Sequence, residues 1–126
     1  MRRWVVHART ELEARHALTS YNGLLEESHQ HTWIIAVRVG TDHLSQEGIA
    51  IDFELLRTIL CDKLQPLDHS NLNHHPEIGN PTPSAERFAE VVAGWVAPEI
   101  EELGATLLSV SIWEGPENRI DLNLAE

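Results

Sequence analysis

Three histidines in this chain have the chemistry to hold a catalytic metal: His16, and His29 and His31 with a single residue between them. Side chains alternate faces along a strand, so an H-x-H pair entering the apolar run Trp33-Ile34-Ile35-Ala36-Val37 puts two imidazoles on one side. His16 completes a three-nitrogen set. Three protein ligands with an open fourth position is the pattern of a catalytic zinc site, whereas a closed structural site uses four. Neutral imidazole also suits copper, nickel or iron, so the residues alone do not select the metal. The competing reading of any single histidine is a structural or solvent-facing ring.

Carboxylates add acid–base options. Glu26 and Glu27 precede the H-x-H pair; one of them is a candidate general base with its pKa set by burial and the metal's charge, against the plain alternative of a solvated acidic loop. Asp68-His69 pairs a carboxylate with an imidazole suited to proton transfer, although neighbours in sequence need not touch in space. Glu114 follows the apolar strand Val110-Ser111-Ile112-Trp113. It is either a solvent-facing terminus or an anchor for a ligand with paired N–H donors, such as an aminopyrimidinone ring. His74-His75 and His43 read as surface residues, and Cys61 as a packing residue on a helix.

The elements that must position these groups follow from periodicity. Residues 4–14 alternate and deliver His16 at the end of a strand. Residues 17–28 are a polar loop carrying the turn signal Asn22-Gly23. A strand over 29–41 is apolar on both parities, which predicts cover on both faces. Ser45-Gln46-Glu47-Gly48 is expected to turn into a strand at 48–51. Asp52 then reads as an N-cap, and Phe53, Leu56, Ile59, Leu60 and Leu64 have helical spacing up to Pro66. Residues 67–82 form a loop long enough to be functional. A second helix starts at Thr82-Pro83-Ser84, buries Phe88, Val91, Val92, Trp95 and Val96, and ends at Gly104. Strands at 105–113 and 119–124 flank Gly115-Pro116-Glu117-Asn118. The predicted order is β-β-β-α-α-β-β, an α+β class with an antiparallel sheet.

The 126 residues favour one domain, spanning 1–126. A net charge of −11 argues against a nucleic-acid partner, which needs clustered Lys and Arg. Arg15, Arg38 and Arg119 remain as a candidate local basic patch for an anionic substrate. No apolar run is long enough to span a bilayer, and the N-terminus lacks the apolar core of a signal peptide. One cysteine excludes an intrachain disulfide and a cysteine-rich metal cluster, and a cytoplasmic location fits.

The order of these motifs is more specific than any one of them. His16, the H-x-H at 29–31, Ile51-Asp52-Phe53, Leu67-Asp68-His69, Leu72-Asn73, Asn80-Pro81-Thr82 and Glu114 together resemble the 6-pyruvoyl-tetrahydropterin synthase / 6-carboxy-tetrahydropterin synthase family, from about residue 5 to the last strand. The resemblance implies the T-fold: a four-stranded antiparallel sheet with two helices on one face, subunits joining edge to edge into a barrel as a tetramer or hexamer, and sites between subunits. It implies Zn2+ on His16, His29 and His31, a pterin substrate held by Glu114 and Thr82, and a proton relay at Asp68 and His69. Two departures stand out. Gln30 replaces the glycine of the family's H-G-H. Leu25 stands where the carboxy-tetrahydropterin branch carries its cysteine, and leucine transfers no proton. One branch has E-x-x-H-G-H instead, a spacing matched by Glu26 to His31, and its members are associated with cleaving dihydroneopterin to 6-hydroxymethyl-dihydropterin and glycolaldehyde. A zinc-dependent pterin side-chain lyase with Glu26 as base is therefore the first expectation. A carboxy-tetrahydropterin synthase of 7-deazapurine (queuosine) synthesis and a non-catalytic pterin- or metal-binding homologue are the rivals.

Overall fold

A computed structural model describes residues 3–19 and 26–125. Leu25 and the Asn22-Gly23 turn lie outside the described residues. Two long strands, β1 (Trp4–His16) and β2 (His29–Thr41), pair antiparallel along their whole length, from Trp4 opposite Thr41 to His16 opposite His29. β1 buries Val6, Leu12, Ala14 and His16; β2 buries Trp33, Ile35, Val37 and Val39. This is the alternation that assigns one face of each strand to the core.

Helix α1 (Phe53–Leu64) starts where the Asp52 side chain accepts a hydrogen bond from the Glu54 N–H at 2.8 Å. Its buried stripe is Leu56, Ile59, Leu60 and Leu64. A single 3-10 turn at Gln65–Leu67 carries Pro66. Then come a two-residue strand, β3 (Ser70–Asn71), and a second 3-10 turn at Leu72–His74. Helix α2 (Ala85–Glu102) is capped by the Ser84 hydroxyl, which accepts from the Arg87 N–H at 3.0 Å, so Pro83 sits just before the helix. Phe88, Val92, Val96 and Ile100 face the sheet. Strands β4 (Thr106–Glu114) and β5 (Asn118–Asn123) close the chain, joined across Gly115, whose φ of 77° is open to glycine without strain.

The sheet order is β3-β1-β2-β4-β5. The four long strands are antiparallel and both helices lie on one face, in an α+β arrangement. The expected strand at 48–51 is not formed. The Ser45 hydroxyl accepts from the N–H groups of Glu47 and Ile49, and Gly48 turns with φ 80°, so the segment folds on itself instead of pairing. The extra strand is β3, parallel to β1 at Ala14 and Arg15. The order is thus β-β-α-β-α-β-β. On the second face of β2, within the single chain, Ile34 and Ala36 are half-buried and Arg38 is exposed. Among the described residues, no helix is long and apolar enough to cross a membrane.

Candidate metal centre

Strand register alone gathers the site. His16 pairs with His29, Ala14 with His31, and Trp33 with Glu114. Paired residues share a face, so β1, β2 and β4 present His16, His29, His31 and Glu114 on the helix side at one end of the sheet. Gln30 falls on the opposite parity, away from the imidazoles. Trp33 forms the floor: it is fully buried, donates its indole N–H to the Ala14 carbonyl at 3.1 Å, and packs edge-on to His16 at 4.8 Å.

The three imidazoles meet edge to face, with centroids 4.5 Å apart for His16–His29 and His29–His31 and 5.6 Å for His16–His31. His16, 2% exposed, donates Nδ1–H to the Pro83 carbonyl at 2.8 Å. That carbonyl can only accept, so Nδ1 carries its proton and Nε2 faces the site. Glu114 Oε1 lies 3.0 Å from His16 Nε2, 3.0 Å from His31 Nε2 and 3.7 Å from His29 Nε2. Glu26 also reaches the cluster: its Oε1 accepts the Leu18 N–H at 2.9 Å and is 3.8 Å from His29 Nε2. Glu27 is exposed.

The electrostatics follow from this packing. Burial works against a charge on His16, but its hydrogen bonds to Glu114 and the Pro83 carbonyl, with the charges of Glu114 and Glu26, raise its pKa above the ordinary imidazole value. Burial lowers the His31 pKa. The hydrogen bond from His16 holds the Glu114 carboxyl below the ordinary carboxylate value. The donor set suits a divalent cation: the ligand atoms of His16, His29, His31 and Glu114 lie within 4.8 Å of one another. Moreover, the Nε2 atoms of His29 and His31 are buried without a hydrogen-bond partner. Two orphaned nitrogens facing one carboxylate oxygen are costly to bury unless a cation joins them.

Asp68 and His69 sit elsewhere. Asp68 Oδ1 accepts the Glu13 N–H at 2.9 Å, and His69 lies 3.5 Å from Asp68 and 3.9 Å from the Glu13 carboxylate. Glu13 pairs with Thr32, one step out of phase with the Ala14–His31 pair, so its side chain is on the sheet face away from the imidazoles. Within one chain the structure therefore brings Glu26 and Glu114 to the histidines, and leaves Asp68 and His69 across the sheet. Thr82 ties two loops together: its hydroxyl oxygen accepts the Thr19 N–H at 3.0 Å, and the Thr19 hydroxyl donates to the Pro81 carbonyl at 3.2 Å. The three arginines lie on β1, β2 and β5; Arg119 is committed to Asp121 at 2.7 Å, the charge of Arg38 acts on the same carboxylate, and Arg38 donates to the Ser109 hydroxyl at 3.3 Å.

Sequence reasoning missed three supports. The Asn73 amide clamps Ala17, accepting its N–H and donating to its carbonyl, both at 2.8 Å, and so fixes the chain one residue after His16. Trp33 and the Pro83 carbonyl are the others. A loop asparagine and a backbone carbonyl have no spacing signature; only the sequence Leu72-Asn73 within the motif order pointed to this loop.

Comparison with known proteins defines the class. The family model described as 6-pyruvoyl tetrahydropterin synthase matches residues 5–124, and the chain belongs to that family. Among individual relatives, dihydroneopterin monophosphate aldolase of Pyrococcus furiosus is 30% identical over 117 residues, covering 90% of this chain and 92% of that one. The fold is that of Caenorhabditis elegans 6-pyruvoyl tetrahydropterin synthase (TM-score 0.78, 18% identity, 99% of each chain). It is likewise that of Plasmodium vivax 6-pyruvoyltetrahydropterin synthase bearing an alanine in place of a catalytic glutamate (TM-score 0.70, 14% identity, 96% of this chain and 99% of that one).

Proposed function

We propose that this protein is a zinc-dependent pterin side-chain lyase that cleaves dihydroneopterin or its phosphate to 6-hydroxymethyl-dihydropterin. The observation that carries this reading is the placement of Glu26, with Oε1 held by the Leu18 N–H and 3.8 Å from His29 Nε2. A fixed carboxylate beside the imidazoles supplies a base in a chain without cysteine at residue 25. The aldolase name of the Pyrococcus relative supports the same reaction, and the Plasmodium structure names a glutamate as a catalytic residue in this family.

His16, His29 and His31 would hold the metal, which when bound acts as a Lewis acid on the side-chain hydroxyls and lowers their pKa. Glu26 removes the proton of the hydroxyl on the second side-chain carbon. That carbon becomes the aldehyde of glycolaldehyde, or of its phosphate, as the bond to the first side-chain carbon breaks. The electron pair moves onto the first carbon and into the ring's conjugated imine, and a proton returned to that carbon completes the hydroxymethyl group. Glu114 and Thr82 bind the pterin, and Asp68-His69 supplies the returning proton. Because that pair lies across the sheet from Glu26, a second copy of the chain must bring it to the site, which makes the working enzyme a homo-oligomer. The setting is cytoplasmic and the partner a small molecule.

Zinc-loaded protein should be given dihydroneopterin, its monophosphate and its triphosphate separately, with products read by chromatography. Hydroxymethyl-dihydropterin is the expected product, at a rate cut by about 10²–10⁴ in Glu26→Gln. Carboxy-tetrahydropterin and acetaldehyde from the triphosphate would instead assign the synthase reaction. No turnover of any of the three would leave a binding protein.

A further inference from the structure

Accepting His16, His29 and His31 as the metal ligands of the proposed function, we infer that Glu114 is a fourth protein ligand in the resting state, so that the centre is closed until substrate arrives. Zinc–nitrogen and zinc–oxygen bonds of about 2.0–2.2 Å in a tetrahedron require ligand atoms about 3.3–3.6 Å apart. Glu114 Oε1 stands 3.0, 3.0 and 3.7 Å from the Nε2 atoms of His16, His31 and His29, close to all three required edges at once. One carboxylate oxygen thus stands near three imidazole nitrogens, yet only the His16 contact is a hydrogen bond. His29 and His31 leave their Nε2 atoms buried and unpartnered beside the same oxygen.

Glu26 does not fill this role. Its Oε1 is committed to the Leu18 N–H, and its ion-pair contact is with His29 Nε2 at 3.8 Å. The two carboxylates therefore divide the work: Glu26 is fixed by backbone and stays, while Glu114 is held by the ligand nitrogens and can leave. Substrate arrival would displace Glu114, leaving its carboxylate free for the paired N–H donors of the ring. This gives Glu114 both a resting and a working position.

Cobalt(II)-substituted protein tests this without turnover. In the wild type, azide should leave the d–d absorption bands unchanged, because no ligand position is open. Glu114→Gln should show shifted bands, respond to azide, and bind zinc more than about tenfold more weakly. Neopterin, an oxidised ring that carries the same hydroxylated side chain, should perturb the wild-type bands where azide does not. If wild-type protein takes azide as readily as the variant, or the two cobalt spectra coincide, Glu114 is not a ligand. X-ray absorption at the zinc edge on wild-type protein needs no variant. Scattering from a carboxylate carbon in addition to three imidazoles supports the inference, and its absence overturns it. All of these readouts stand whether or not dihydroneopterin is cleaved.

Discussion

His16 Nδ1 donates to the carbonyl of Pro83 at 2.8 Å, joining the end of the first strand to the start of the second helix across 67 residues of sequence. This bond sets the orientation of a ring that is otherwise enclosed by Trp33, His29 and His31. It gives His16 a structural role beside the metal-binding role proposed for it. His16→Ala should therefore destabilise even metal-free protein by roughly 1–3 kcal/mol, because the Pro83 carbonyl loses its donor in a buried setting. Urea unfolding in chelator measures this; an unchanged midpoint would show that the bond does not contribute.

The His16–Glu114 pair gives metal-free protein a pH signature. Glu114 titrates below its ordinary 4.5, so its contribution is present above that value and is lost as pH falls through the lowered one. His16 titrates above its ordinary 6.5, so its contribution is complete below 6.5 and is lost as pH rises through the raised value. The pair thus stabilises most between about pH 4.5 and 6.5. His31, with a lowered pKa, works against folding below pH 6.5. The difference in Tm between wild type and Glu114→Gln in chelator isolates the pair: it should be largest within that window and shrink on both sides.

Metal uptake should show the opposite trend. Zinc needs unprotonated imidazoles, so affinity rises with pH. His31, its pKa lowered by burial, gives up its proton more readily than an ordinary imidazole, whereas His16 must give up a proton that Glu114 helps to hold. Titration calorimetry in buffers of different ionisation enthalpy should detect proton release that continues above pH 6.5 and is reduced in Glu114→Gln.

Much of this architecture was legible in the sequence because period-2 and period-3.6 patterns report burial directly. His16, His29 and His31 fall on the core parity of their strands, and Asp52 and the Ser84 region carry cap chemistry. What was not legible depends on tertiary contacts. β3 is two residues long and has no period to read. The segment at 48–51 has strand-like residues but is folded back by the Ser45 hydroxyl. The approach of Glu114 to the histidines is decided by the β2–β4 register, which places it opposite Trp33, and no spacing in the sequence encodes that register. The separation of Asp68 and His69 from the imidazoles follows from the single-residue phase difference between Glu13 and Ala14.

The Asn73 clamp predicts a coupling between a loop and the metal. Asn73→Ala removes both hydrogen bonds to Ala17 and should cost roughly 1–3 kcal/mol while lowering zinc affinity. Gly79 tests the same support from behind. A Cβ at residue 79 would collide with the Asn73 carbonyl and come within 2.8 Å of the His75 carbonyl. Gly79→Ala should lose roughly 1–3 kcal/mol by overpacking and weaken zinc binding in parallel. Wild-type zinc affinity in either folded variant would show that the loop does not position His16.

The separation of Glu26 from Asp68-His69 can be tested by mixing variants. Glu26 lies on the imidazole side of the sheet, and Asp68-His69 on the other side beside Glu13. If each working site takes its base from one copy and its relay from another, Glu26→Gln and His69→Ala should each be inactive alone. Unfolded together and refolded as mixed oligomers, they should recover activity, because some sites then combine the intact Glu26 of one chain with the intact His69 of its neighbour. Random assortment in an assembly where each site joins two chains restores roughly a quarter of the sites. Mixed oligomers must be verified by native mass spectrometry. Verified hybrids that stay inactive would show that Asp68-His69 does not complete a neighbour's site. Full activity in His69→Ala alone would remove the relay from the mechanism and leave Glu26 to both accept and return the proton.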